Sequence, residues 1–159
     1  MLNYYLVIET DSNGATLDVL KQTHLKGILN WNGVEMENCG QADTTRGAID
    51  FNLAPSDESS TVSVVTNSAI HNCPGVCVNI EGSADITFTN NNVYNSRPIS
   101  MRIYDASNLI VQNNHFAAAL VRDYTYDTTG MVYDFTGHIY FYSKTSVINN
   151  HILITGNVA

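Results

Sequence analysis

No run of about 18 apolar residues occurs in this chain, so no segment has the length and character of a transmembrane helix. Basic residues are scarce: seven Lys and Arg stand against fifteen Asp and Glu, for a net charge of −8. Without a basic face, neither a nucleic acid nor an anionic membrane is an expected partner. The three cysteines are an odd number, too few for a disulfide framework or a cysteine metal site, and leave room for one bridge. Charged residues make up only 14% while 44% are apolar, a balance that excludes a disordered tail. The first ten residues are partly apolar (Tyr4, Tyr5, Leu6, Val7, Ile8) but lack a basic n-region and a small-residue cleavage site, so they do not read as a signal peptide. At 159 residues the chain suits one domain.

What the chain has instead is asparagine, clustered at 90–92, 113–114 and 149–150, and a repeat. Asn67, Asn90 and Asn113 recur at a spacing of 23 residues. The same shift superposes Val65, Phe88 and Val111, then Ile70, Val93 and Phe116. It also places Val76, Val78 and Ile80 on Ile99, Met101 and Ile103. Within each unit apolar residues alternate, which is strand periodicity, and no helical stripe is present. A 23-residue unit of short strands and tight turns is too small for a β-α-β crossover and fits one coil of a right-handed parallel β-helix, an all-β solenoid. Equivalent residues of successive coils then stack about 4.8 Å apart. Asn67, Asn90 and Asn113 become a structural ladder, able to hydrogen-bond along the stack and suited to left-handed turn conformations.

The repeat is regular over 62–116, and its neighbours keep it by expelling loops. Met36, Asn38 and Cys39 correspond to Ile70, Asn72 and Cys73 at a spacing of 34, an excess assigned as about 7 residues at 41–48 and about 4 at 54–60. Ile49, Phe51 and Leu53 are then expected to match Val76, Val78 and Ile80. Ile152 and Ile154 match Leu109 and Val111 at a spacing of 43, which places an insertion at 117–138. Neither end shows a cap, so residues 1–159 are expected to be one β-helix segment of a larger protein. Cys39 and Cys73 stack in adjacent coils, either as a disulfide or as two buried thiols. The thiol reading is favoured, because in-register neighbours orient poorly for bridging, and Cys77 is expected to stand alone.

The string Val34-Glu35-Met36-Glu37-Asn38-Cys39-Gly40-Gln41 resembles a coil characteristic of the fibrocystin family, whose relatives include cell-surface and secreted hyaluronidases. Ser68-Ala69-Ile70-His71-Asn72-Cys73, Asn95-Ser96-Arg97-Pro98-Ile99 and the closing Ile154-Thr155-Gly156-Asn157-Val158-Ala159 are similar to the same family. The resemblance implies an extracellular β-helix within a large cell-surface or secreted protein, structural or receptor-like, with catalysis confined to the hyaluronidase branch. One strand departs from the family pattern. Where relatives carry Ile-His-Phe-His, this chain has Ile49-Asp50-Phe51-Asn52, which keeps oxygen ligands and lacks the imidazoles.

Candidate chemistry is thin. The Asn-Thr-Asp, Asp-Asp, Gly-His-Gly and Arg-Ile-Lys motifs of polygalacturonase-like β-helix enzymes are absent. Asp43, Asp50, Asp57 and Glu58 could supply a glycosidase pair, which needs a separation of roughly 5–10 Å, but solvated loop charges explain them more simply. Asp123, Asp127 and Asp134 lack the ligand series and distal Glu of a calcium loop. His71 and Tyr94 fall on one outward stripe that could stack on a sugar, against the plainer reading of an exposed strand face. His24, His115, His138 and His151 share no motif. The expectation is a non-catalytic structural or adhesive module, with a hyaluronan-type depolymerase or a carbohydrate-binding β-helix as the alternative. Asp50, Asn52, His71 and Tyr94 are the candidate ligand-binding residues. No cofactor or metal is expected, and the partners are the remainder of a larger chain, other extracellular proteins or polysaccharide.

Overall fold

Apolar residues at every second position make short strands, and asparagine, glycine or aspartate ends most of them. The computed structural model describes residues 8–11, 14–20, 28–42, 46–52, 62–119, 137–142 and 151–159, the first two spans by backbone alone. The described strands form three sheets, here called I, II and III. Sheet I holds β1 (Ile8–Asp11), β2 (Gly14–Leu20), β5 (Ile49–Asn52), β8 (Val78–Glu81), β11 (Ile99–Tyr104) and β14 (Gly137–Tyr142). Sheet II holds β3 (Asn30–Asn32), β6 (Ser63–Thr66), β9 (Ala84–Thr89), β12 (Ser107–Gln112) and β15 (Ile152–Thr155). Sheet III holds β4 (Glu35–Glu37), β7 (Ala69–His71), β10 (Asn92–Ser96) and β13 (His115–Ala119). The chain visits I, II and III in that order and repeats, so each coil adds one parallel strand to each sheet. This is the expected parallel β-helix.

The core is a set of columns along the solenoid. Phe51, Ile80 and Ile103 stack in sheet I, as do Ile49, Val78 and Met101. Val65, Phe88 and Val111 stack in sheet II, and Ile70, Val93 and Phe116 in sheet III. All of them are buried. Each contributes on the order of 1.5–3 kcal/mol by leaving water.

Turns obey the same periodicity. Gly33, Asn67, Asn90, Asn113 and Gly156 all have positive φ, from 51° to 71°, at the corner between sheets II and III. Asn38 and Asn72 do so just after β4 and β7, Asn95 and Ala118 at the last residue but one of β10 and β13, Gly82 and Asp105 after sheet I, and Asp85 and Asn108 entering sheet II. L residues other than Asn and Asp resist this conformation, which is why asparagine recurs at these corners.

Three expectations are corrected. Ile49 pairs with Val78 and Phe51 with Ile80, two residues beyond the expected partners. A two-residue slip keeps the same face inward, so apolar alternation alone could not detect it. The eleven extra residues of that coil accordingly divide as five between β4 and β5 and six between β5 and β6. Leu53 and the 54–60 loop lie outside the described residues. At the other end, residues 137–142 are the fifth parallel strand of sheet I, so the 117–138 insertion overlaps β13 and β14. The twenty extra residues are fifteen before β14 and five after it.

The second correction is at the N-terminal edge of sheet I, where β1 runs antiparallel to β2 and satisfies its outer backbone groups. The third concerns the cysteines. Cys73 is bonded to Cys77, with Cα atoms 5.4 Å apart, and Cys39 is free. The turn of Pro74, Gly75 and Val76 folds the chain back on itself and brings Cys77 to Cys73, which sequence spacing did not reveal. Gly75 lies against the Gln41 backbone carbonyl, where a Cβ would clash.

Candidate functional site

Outward positions of sheet I carry the densest chemistry among the described residues. Asp50, Asn79, Arg102 and Tyr140 form one row across β5, β8, β11 and β14, with Asn52, Glu81, Tyr104 and Tyr142 in the row beside it. Asn79 Nδ2 donates to Asp50 Oδ1 at 2.7 Å, and Arg102 Nη1 donates to Asn79 Oδ1 at 2.8 Å. Arg102 Nη1 also reaches Glu81 Oε2 at 2.8 Å. Its guanidinium lies 5.2 Å from the Tyr104 ring centroid, and Tyr104 stacks on Tyr142 at 5.2 Å. Asp50 and Asn79 are 2% and 1% exposed. One cation therefore pairs with Glu81 directly and with Asp50 through a buried amide, an arrangement in which each charge is paired or hydrogen-bonded.

The second candidate pair sits on a different sheet. His71 and Tyr94 are in register on β7 and β10 of sheet III, with rings stacked 4.5 Å apart and only 5° from parallel. His71 Nε2 is 3.0 Å from Glu35 Oε1. A carboxylate only accepts, so Nε2 carries the hydrogen, and His71 Nδ1 is buried without a hydrogen-bond partner. At 5% exposure His71 is not the open sugar platform that an outward strand position suggested. Tyr94 covers one ring face and Glu35 holds the edge. Asp50 and Asn52 thus belong to sheet I, His71 and Tyr94 to sheet III, and the four do not converge on one site.

The asparagine column holds two separate devices. Asn67, Asn90 and Asn113 stack as expected, yet they are exposed and serve the backbone turn; Asn67 Nδ2 bonds Asn32 Oδ1 at 2.9 Å. The hydrogen-bonded ladder runs one residue later, through Ser68, Asn91, Asn114 and Asn157. Ser68 Oγ accepts from Val34 N–H, Asn91 Oδ1 from Ser68 N–H, Asn114 Oδ1 from Asn91 N–H and Asn157 Oδ1 from Asn114 N–H, at 2.8–3.1 Å. The amides of Asn91, Asn114 and Asn157 in turn donate to the Val65, Phe88 and Val111 carbonyls. The signal was present in the sequence as the second residue of the asparagine clusters at 90–92 and 113–114. Beside the turn column, Asn90, Asn92, Asn113, His115, Gly156 and Val158 line an open groove of about 390 Å³.

Asp43, Asp57, Glu58, Asp123, Asp127 and Asp134 lie outside the described residues. Among the described residues no group of three or more His, Cys, Asp or Glu side chains is placed to hold a metal, and no helix is long and apolar enough to cross a membrane. Burial pushes the Cys39 thiol above the ordinary cysteine range.

Three parallel sheets, in-register core columns and a side-chain ladder at a sharp corner define a solenoid of the parallel β-helix class. The chain matches the model of the right-handed β-helix region over residues 7–159 and belongs to that family. No curated protein and no solved structure matches it.

Proposed function

We propose that this chain is a rigid structural and adhesive segment of a larger extracellular protein of fibrocystin-like type, without catalytic turnover. The observation that carries this reading is the ladder from Val34 to Asn157, which ties each coil to the next through a side-chain hydroxyl or amide in addition to the sheet bonds. Such cross-linking suits a load-bearing rod. The Cys73–Cys77 disulfide supports an oxidising compartment, hence the extracellular or cell-surface placement. Inward-facing residues of the last coil, Phe141 at 46% and Ile154 at 39% exposure, favour a further stretch of the same polypeptide as a partner. The fibrocystin-like string at residues 34–41 occupies β4 and the turn behind it, the coil position that Ser68–Cys73 of the next coil repeats.

The competing depolymerase reading needs a poised acid and base. On sheet I both Asp50 and Glu81 are instead engaged within the Asn79–Arg102 network. A second reading, binding of polysaccharide without turnover, draws support from Arg102 and the Tyr104–Tyr142 stack on the same face. Incubating the purified chain with hyaluronan or pectin and sizing the polymer tests the main proposal. Unchanged chain length is expected; measurable shortening overturns it. Retention of intact polymer on the immobilised protein, lost in Tyr142→Ala, supports the second reading.

A further inference from the structure

We propose that the three cysteines form an intrachain thiol–disulfide exchange site in which Cys73 bonds alternately to Cys77 and to Cys39. The coil register places them together. Glu37 pairs with His71, the Asn38 N–H donates to the His71 carbonyl at 3.1 Å, and Asn38 and Asn72 share left-handed φ values of 56° and 55°. The two chains therefore turn alike after β4 and β7, and Cys39 stands one coil away from Cys73. A coil step of about 4.8 Å falls within the Cα separations that disulfides span, and both cysteines lie in the turns beyond β4 and β7, outside the paired-strand geometry that orients in-register neighbours poorly for bridging. Cys39 is a free, partly buried thiol packed against the same apolar cluster that contains Cys73 and Cys77. One corner of the solenoid thus holds one reduced sulfur and two oxidised ones.

The exchange is balanced without any added oxidant. The Cys39 thiolate attacks the Cys73 sulfur; the Cys39–Cys73 bond forms as the Cys73–Cys77 bond breaks. The electron pair leaves on the Cys77 sulfur, which takes a proton from water, while the Cys39 proton has gone to solvent. One disulfide and one thiol are present before and after.

The two pairings differ in what they hold. Cys73–Cys77 closes a turn of sequence separation 4 between β7 and β8, inside a single coil. It places no constraint on the coil before. Cys39–Cys73 joins residues 34 positions apart and staples the first coil of sheet III to the second. β3 and β4, three residues each, are the edge strands of their sheets, so the staple acts where backbone pairing is thinnest.

Peptide mapping reads the pairing directly. Trypsin cleaves after Lys26, Arg46 and Arg102 and spares Arg97-Pro98, so Cys39 falls in one peptide and Cys73 with Cys77 in another. The purified chain is held without reductant at about pH 9.5, where a fraction of the partly buried Cys39 thiol is ionised despite its raised pKa, then acid-quenched and alkylated at intervals. The expected result is movement of the alkyl label from Cys39 to Cys77, with appearance of the cross-linked peptide pair. In Cys77→Ser, oxidised glutathione should produce the Cys39–Cys73 link and leave no free thiol; in Cys39→Ser the Cys73–Cys77 bond should stay unchanged. A label that remains on Cys39 at all times in the unsubstituted chain, or a cross-link to Cys77 in place of Cys73, overturns the proposal.

Discussion

Asn114 Oδ1 accepts two hydrogen bonds from Asn91 in the coil before it, one from the backbone N–H at 2.8 Å and one from Nδ2 at 3.1 Å. Its own Nδ2 donates to the Phe88 carbonyl at 2.9 Å and is shared with Asn157 Oδ1 at 3.0 Å. A single buried carboxamide therefore satisfies groups in the coils on both sides. No aliphatic residue of similar size can do so.

Asn114→Ala should be among the most damaging substitutions away from the hydrophobic columns. It leaves the Asn91 amide and the Phe88 carbonyl short of partners inside the corner, each costing about 1–3 kcal/mol. Urea unfolding followed by circular dichroism should show a clear fall in the midpoint.

Asn113→Gly, one residue earlier, should change stability by only a few tenths of a kcal/mol, since Asn113 is exposed and left-handed and glycine already fills that column at 33 and 156. Asn113→Val should cost roughly 1–2 kcal/mol or more, because a β-branched residue resists positive φ. Comparable midpoints for the glycine and valine variants would contradict the assignment of this column to backbone geometry.

Phe88→Ala removes the central member of the Val65–Phe88–Val111 column, which is fully buried. A loss of about 3–5 kcal/mol is expected from thermal or denaturant unfolding. Val64→Ala, on the outward, partly exposed position of β6, should cost much less.

Arg102→Met strips the cation from the network of Asp50, Asn79 and Glu81 while keeping much of the side-chain length. Asn79 Oδ1 then loses its donor in a site that is 1% exposed, and a destabilisation of roughly 1–3 kcal/mol follows. Glu81→Gln should cost less, because that carboxylate is partly solvated and its pair is worth little.

Cys39 sets an alkaline dependence. Burial raises its pKa, so the folded chain holds that proton more tightly than the unfolded one. Its stabilising contribution is complete below the ordinary cysteine pKa and is lost as pH rises through the raised folded value. Alkylation of Cys39 in the folded chain should accordingly be slower near pH 8 than in urea, and Cys39→Ala should flatten the alkaline stability slope. Equal alkylation rates in the folded and unfolded chain would refute it.

Much of this architecture was legible from spacing alone. A period of 23 with alternating apolar residues specifies parallel stacking, because one repeat must bury its inner face against the same face of the next. The partners of Val65, Phe88 and Val111, and of Leu109 with Ile152, follow from that rule and are the ones observed. Where loops interrupt the period, the rule weakens. Ile49 could be set against Val76 or Val78 with the same face inward, and only the closed coil selects Val78.

The sequence by itself determined the fold class, the inward columns and the left-handed corner, since periodicity and the tolerance of asparagine for positive φ are local properties. Tertiary structure decided which asparagine of each cluster goes inside: Asn67, Asn90 and Asn113 turn the chain, and the residue after each reaches into the stack. It decided that Cys73 pairs with Cys77 across a turn whose Gly75 lies against the Gln41 carbonyl of the preceding coil. It also separated the candidate sites, sending Asp50 to sheet I and His71 to sheet III. Those outcomes rest on contacts between coils, and a repeat read one coil at a time carries no information about which neighbouring groups will meet.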